Sequence, residues 1–123
     1  MTTKTEIKNP TQKEQLLKTA RDAIEIFRNY IERGDYAIEL DDVDMVIRGN
    51  AVKAYLSRYS IFIMYGDIDI KHNSEKTQIL VFDKKTFKTT RYDTPELHDV
   101  MAELRELTLE KVKEKLQKIL SKI

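Results

Sequence analysis

Asp67 and Asp69 stand two apart in the segment Tyr65-Gly66-Asp67-Ile68-Asp69-Ile70-Lys71-His72. On a strand, that spacing points both carboxylates the same way. Paired carboxylates of this kind hold two magnesium ions in nucleotidyl-transferring enzymes. Such a centre also needs a phosphate-binding Gly/Ser turn and a third carboxylate, and with three glycines in 123 residues the chain has no glycine-rich turn. The segment therefore reads as a strand with Asp67, Asp69 and Lys71 toward water and Ile68 and Ile70 toward a core. A small metal-dependent enzyme at Asp67 and Asp69 is the last of three functional readings.

His72 and His98 are the only histidines, so a histidine-based metal site would have to join the end of a strand to the start of a helix. Both read as surface residues. Ser57, Ser60, Ser74 and Ser121 lack a nucleophile motif, and no Gly-x-Ser-x-Gly, Walker, dinucleotide or His-Glu-x-x-His pattern occurs. No catalytic residue, metal ligand or cofactor-binding residue is assigned, and no cofactor is expected. Zero cysteines remove disulfides and thiolate chemistry together and suit a cytoplasmic protein. The lysine- and glutamate-rich surface leans toward a thermophilic source.

Charge is more informative locally than globally. Lys and Arg total 22 against 21 Asp and Glu, a net +1 that gives no overall drive toward nucleic acid or anionic membrane. Residues 34–50 carry five acids, Asp35, Glu39, Asp41, Asp42 and Asp44, against Arg48, a local balance of −4. Residues 73–92 carry Lys76, Lys84, Lys85, Lys88 and Arg91 against Glu75 and Asp83, a balance of +3. In the second segment Phe87 and Tyr92 interleave with the cations, the pairing used where phosphates are held and bases stacked. Lysines that keep an edge strand from pairing with another chain produce the same pattern. The acidic loop, with Asp41, Asp42 and Asp44, is a candidate surface for a protein partner with a basic groove. The basic hairpin, with Lys84, Lys85, Phe87, Lys88 and Arg91, is the nucleic-acid candidate, with Arg48, Lys53 and Arg58 as possible additions.

Two helices and a sheet must position these groups. Thr11 followed by Glu14 is a capping box, apolar residues from Leu16 to Ile31 recur at helical spacing, and Gly34 sits where a left-handed cap belongs. The spacing predicts a helix over about 12–33. Asp93-Thr94-Pro95-Glu96 opens a second helix, over about 95–122, in which acids precede lysines in the order a helix dipole favours. Its apolar positions Leu97, Val100, Leu104 and Leu107 shift phase at Leu109, Val112, Leu116, Ile119 and Ile123, which suggests a kink near Thr108. The last five form a seam that needs a partner, and they are the expected oligomerisation residues of a homodimer.

Between the helices, residues 36–40, 43–48, 60–72, 77–83 and 86–92 are strand-like. Residues 51–59 fit a helix or a strand equally; two short helices around Gly49 would loosely mimic a winged helix-turn-helix. Residues 61–65 and 79–82 are apolar on both alternating faces and so should lie centrally with both faces covered. Two helices on one face would leave the other bare, so either the helices divide between the faces or a second subunit closes one, and the C-terminal seam makes the second option the more economical. No apolar run approaches the roughly 20 residues that span a membrane. The expected fold is α+β: residues 1–10 a flexible N-terminus, then a single domain over 11–123 with helix, antiparallel sheet of four or five strands, and helix. The expected role is a non-catalytic regulator or inhibitor binding a macromolecular partner, with a nucleic-acid-binding regulator as the alternative.

Overall fold

The computed structural model describes residues 11–40 and 44–123, so the expected flexible segment at 1–10 lies outside the described residues. Helix α1, Gln12–Arg33, begins where Thr11 Oγ1 accepts the Glu14 amide at 3.1 Å. It ends at Gly34, whose φ of 70° lets its amide close back onto the last turn. Seven strands follow: β1 Ala37–Leu40, β2 Met45–Arg48, β3 Val52–Leu56, β4 Ser60–Tyr65, β5 Ile68–Asn73, β6 Gln78–Asp83 and β7 Lys88–Tyr92. Helix α2, Pro95–Ser121, completes the α+β fold. The strands form one antiparallel sheet in chain order, β1 to β7.

Seven strands replace the four or five expected, for two local reasons. The 60–72 stretch folds back at Gly66-Asp67, where Gly66 adopts φ 54° and Tyr65 pairs directly with Ile68. Apolar residues continue without a break on both sides of that two-residue loop, which hides it in the sequence. Residues 52–56 are a strand, with Val52, Ala54 and Leu56 buried at period two and paired to β4. The helical reading and the winged-helix likeness therefore fail, as Met45–Arg48 is also a strand.

Register aligns the buried side chains in rows across the strands. One row runs Met45, Leu56, Ile61, His72, Ile79, Tyr92, and the next Ile47, Ala54, Ile63, Ile70, Val81. Both helices lie on this face. Near its start α1 meets β7, where the Tyr92 hydroxyl donates to Lys13 O at 2.6 Å; near its end Tyr30 accepts the Ala51 amide at the β2–β3 turn. Helix α2 leaves β7, passes β5 and the β3–β4 turn, and reaches Tyr36 beside β1. The helices thus cross the strands side by side in the same direction, with Arg28 of α1 3.9 Å from Glu103 of α2. Seven strands span about 29 Å and a 27-residue helix about 40 Å, so α2 overruns the sheet at the β1 side.

Three polar contacts fasten α2. His98, in its first turn, bonds His72 on β5. Arg105 is buried and forks its guanidinium onto the β3–β4 turn, Nη1 to Ser60 O at 2.9 Å and Nη2 to Ser57 O at 2.8 Å and Arg58 O. Lys115 donates to Gly34 O and Tyr36 O, and its ammonium lies 4.1 Å from the Tyr36 ring centre. A cation there also meets the negative end of the α1 dipole. The helix runs unbroken through Thr108, whose hydroxyl donates to Leu104 O, and no helix break occurs at the phase shift.

Replacing Arg105 with alanine should destabilise the domain by about 2–4 kcal/mol, because three turn carbonyls lose a charged donor in a buried setting. Arg105→Lys should recover only part, since an ammonium cannot reproduce the fork. Urea unfolding of the two variants checks the order; equal stability to wild type in Arg105→Ala would contradict the clamp.

Candidate interaction surface

Among the described residues no helix lies over the opposite face of the sheet. Its register rows are Glu39, Val46, Tyr55, Phe62, Lys71, Leu80, Arg91 and Arg48, Lys53, Met64, Asp69, Phe82, Thr89. Val46 is buried among its neighbours, while Tyr55, Phe62, Met64, Leu80 and Phe82 remain partly exposed. Strands β4 and β6 are interior as expected, and the described residues cover them on one side only, so the arrangement in which the two helices divide between the faces does not occur. Tyr55 and Phe62 meet edge to face, ring centres 6.2 Å apart, which fixes both rings on the surface. Lys53 places its ammonium 4.9 Å from the Tyr55 ring centre.

The acids around this face are engaged. Arg48 Nε donates to Glu39 Oε1 at 2.7 Å, and that hydrogen bond holds the Glu39 carboxyl below its ordinary range. Lys84 reaches from the β6–β7 hairpin to within 3.3 Å of Asp69, and Arg91 sits 2.8 Å from Asp93. Lys71 and Lys53 have no ion pair among the described residues.

These pairings rearrange the candidates drawn from sequence. Asp67 lies in the β4–β5 turn, 3.4 Å from Lys85, while Asp69 lies on the open face with Lys84. The aspartate pair and the basic hairpin are therefore one charge-matched cluster. Lys88 faces the helix side and, with Lys85, borders a cleft of about 610 Å³ beside the first turns of α1. Phe87, at the hairpin tip, is 80% exposed and holds φ 57°. An exposed phenyl in a left-handed conformation adds little to folding and costs about 1 kcal/mol of backbone strain. Of the acidic loop, Asp41 and Asp42 lie outside the described residues; Asp44 is half-buried beside β2.

The C-terminal seam is divided. Val112 is buried in this chain's own core and Leu116 packs against it. Leu109 is exposed, as are Ile119 and Leu120 at the end of α2 and Ile123 just beyond it. Tyr55, Phe62, Phe82, Lys53 and Lys71 had not been singled out together. Their signal was the both-face apolar pattern of β4 and β6, which marks a partner surface as well as a buried strand.

His72 is not the surface residue expected, and His98 is half-buried. His72 is fully buried, and its Nε2 lies 2.8 Å from His98 Nδ1. His72 Nδ1 is buried without a partner, so the favoured arrangement is the neutral tautomer in which His72 Nε2–H donates and Nδ1 is a bare lone pair. Burial, then the neighbouring His98 and Arg105, lower the His72 pKa to about 4. Among the described residues no third metal-ligating side chain joins this pair.

No protein-family model, curated protein or solved structure matches the chain.

An unfolded histidine titrates near 6.5, and His72 in the fold only near 4. Between those values the unfolded chain binds the extra proton, so stability should fall as pH drops through this window, by roughly 3 kcal/mol in all. His72→Leu should remove that part of the acid sensitivity. Denaturant unfolding from pH 7 to pH 4 measures it; a parallel loss in wild type and variant would contradict the assignment.

Proposed function

We propose that this chain is a non-catalytic interaction protein, a small regulator or inhibitor, which receives a macromolecular partner on the uncovered face of its sheet. The observation that carries this reading is the pair of apolar groups on the open face, Tyr55, Phe62 and Met64 of β3 and β4 and Leu80 and Phe82 of β6, set on either side of Lys71 and Asp69 of β5 and with no helix over them among the described residues. Contiguous apolar patches with a charged rim are characteristic of recognition surfaces. The rim here is Arg48, Lys53 and Arg91 with their acidic neighbours. The pairing of Asp67 and Asp69 with lysines supports a binding role over metal chemistry at those carboxylates.

Homodimerisation is a second element of the reading, and the exposed end of α2 supports it. Ile119, Leu120 and Ile123 are 50%, 66% and 97% exposed, at the end of α2 and just beyond it. A second copy docking there would leave the open sheet face free for the partner.

Phe62→Asp with Leu80→Asp should leave helix content unchanged and cost the fold no more than about 1–2 kcal/mol, since both side chains are partly solvated. The wild-type protein, immobilised, should retain a partner from its source's lysate that this variant loses. Equal retention by both, or by neither, contradicts the sheet-face reading. Leu120→Asp with Ile123→Asp should convert a dimer to a monomer in light scattering while retaining that partner; a wild type monomeric at high concentration contradicts the dimer.

A further inference from the structure

We infer that the partner on the open sheet face is single-stranded nucleic acid, with bases stacked on Tyr55, Phe62 and Phe82 and phosphates held by Lys53 and Lys71. This rests on the sheet-face reading above and names the class of its partner.

Charge decides between the possible occupants. Among the described residues Glu39, Asp69 and the nearby Asp93 each face a cation of this chain, whereas Lys53 and Lys71 have no ion pair. Lys71 sits between Phe62 and Leu80 in its row, in the middle of the apolar band rather than at its rim. A second copy laid face to face would bury these lysines against the same two register rows, in which Glu39 and Asp69 already have cations of their own. An apolar protein surface would desolvate them without compensation. A polyanion satisfies both.

The rings select the kind of polyanion. Three aromatic side chains on one flat surface, each within a strand or two of a lysine, form a stacking platform with adjacent phosphate contacts. Lys53 is already held over the Tyr55 ring, so a base on Phe62 would carry its phosphate beside that ammonium. A duplex keeps its bases stacked on each other and would offer these rings nothing but its backbone, so a single strand is the better fit. The β6–β7 hairpin contributes less than its composition suggests, because Lys84 and Lys85 are engaged by Asp69 and Asp67.

The test is fluorescence anisotropy of labelled fifteen-residue oligo(dT) and oligo(U), and of a duplex, at 50 and 200 mM salt. Both single strands should bind more tightly than duplex, and affinity should fall with salt at a log–log slope of about −1.4, as two phosphate contacts require. Phe62→Ala and Phe82→Ala should each weaken binding by about 5- to 100-fold, and Lys53→Gln with Lys71→Gln should flatten the slope. Lys111→Gln with Lys113→Gln, on α2, should change little. Absence of single-strand binding at 50 mM salt, tighter duplex binding, or affinity unmoved by the sheet-face variants overturns the proposal. If poly-glutamate binds through Lys53 and Lys71 while the oligonucleotides do not, the partner is an acidic protein: the nucleic-acid proposal falls and the sheet-face reading stands. If neither binds and Phe62→Asp disperses a dimer, the occupant is a second copy, which also overturns the proposal.

Discussion

Burial of one sheet face under two helices that cross every strand is the constraint from which the rest of this structure follows. Seven strands in chain order make a layer about 29 Å wide, and the 22 residues of α1 reach about 33 Å, enough to cover it once. Ile47, Ala54, Ile63, Ile70 and Val81 fall in one row because register places them there, and Phe27, Ile31, Met101 and Leu104 close over them. The hydrophobic drive is consumed on that side. Both helices lie side by side on that face, and among the described residues none covers the opposite one.

The polar groups divide between the two faces by what each face needs. On the helix side, Arg105, Lys115 and the His72–His98 pair fix α2 along a line that apolar contacts alone would leave free to slide, since each donor matches carbonyls or a ring at one place. The cost is one buried lone pair on His72 and a guanidinium partly removed from water. On the open side, charges are matched between neighbouring strands and hairpin, Arg48 with Glu39 and Lys84 with Asp69. Among the described residues Lys53 and Lys71 stay outside this matching.

Both helices were legible in the sequence because their ends carry strong local signals: Thr11 and Gly34 for the first, Thr94 and Pro95 for the second. The strand count was not. The Gly66-Asp67 loop is only two residues long and sits inside an uninterrupted apolar alternation, and residues 52–56 satisfy both periods at once. The open face was half visible, as β4 and β6 read apolar on both sides, but sequence cannot say which side a helix will cover. His72 was misread for a related reason: a polar residue at the end of a strand looks solvated until register places it beside Ile61 and Ile79. The C-terminal stripe was a true apolar seam, divided by geometry when the sheet ends before the helix does.

Hydroxyl-radical footprinting of the intact protein tests the one-sided sheet most directly, because side-chain oxidation reads solvent access residue by residue. The fold described here predicts that Tyr55, Phe62, Met64 and Phe82 oxidise readily in the native state, whereas Phe27, Met101 and Tyr92 are protected until the chain unfolds. Equal protection of both sets in the isolated monomer would contradict it, since the second face would then be covered by the chain itself.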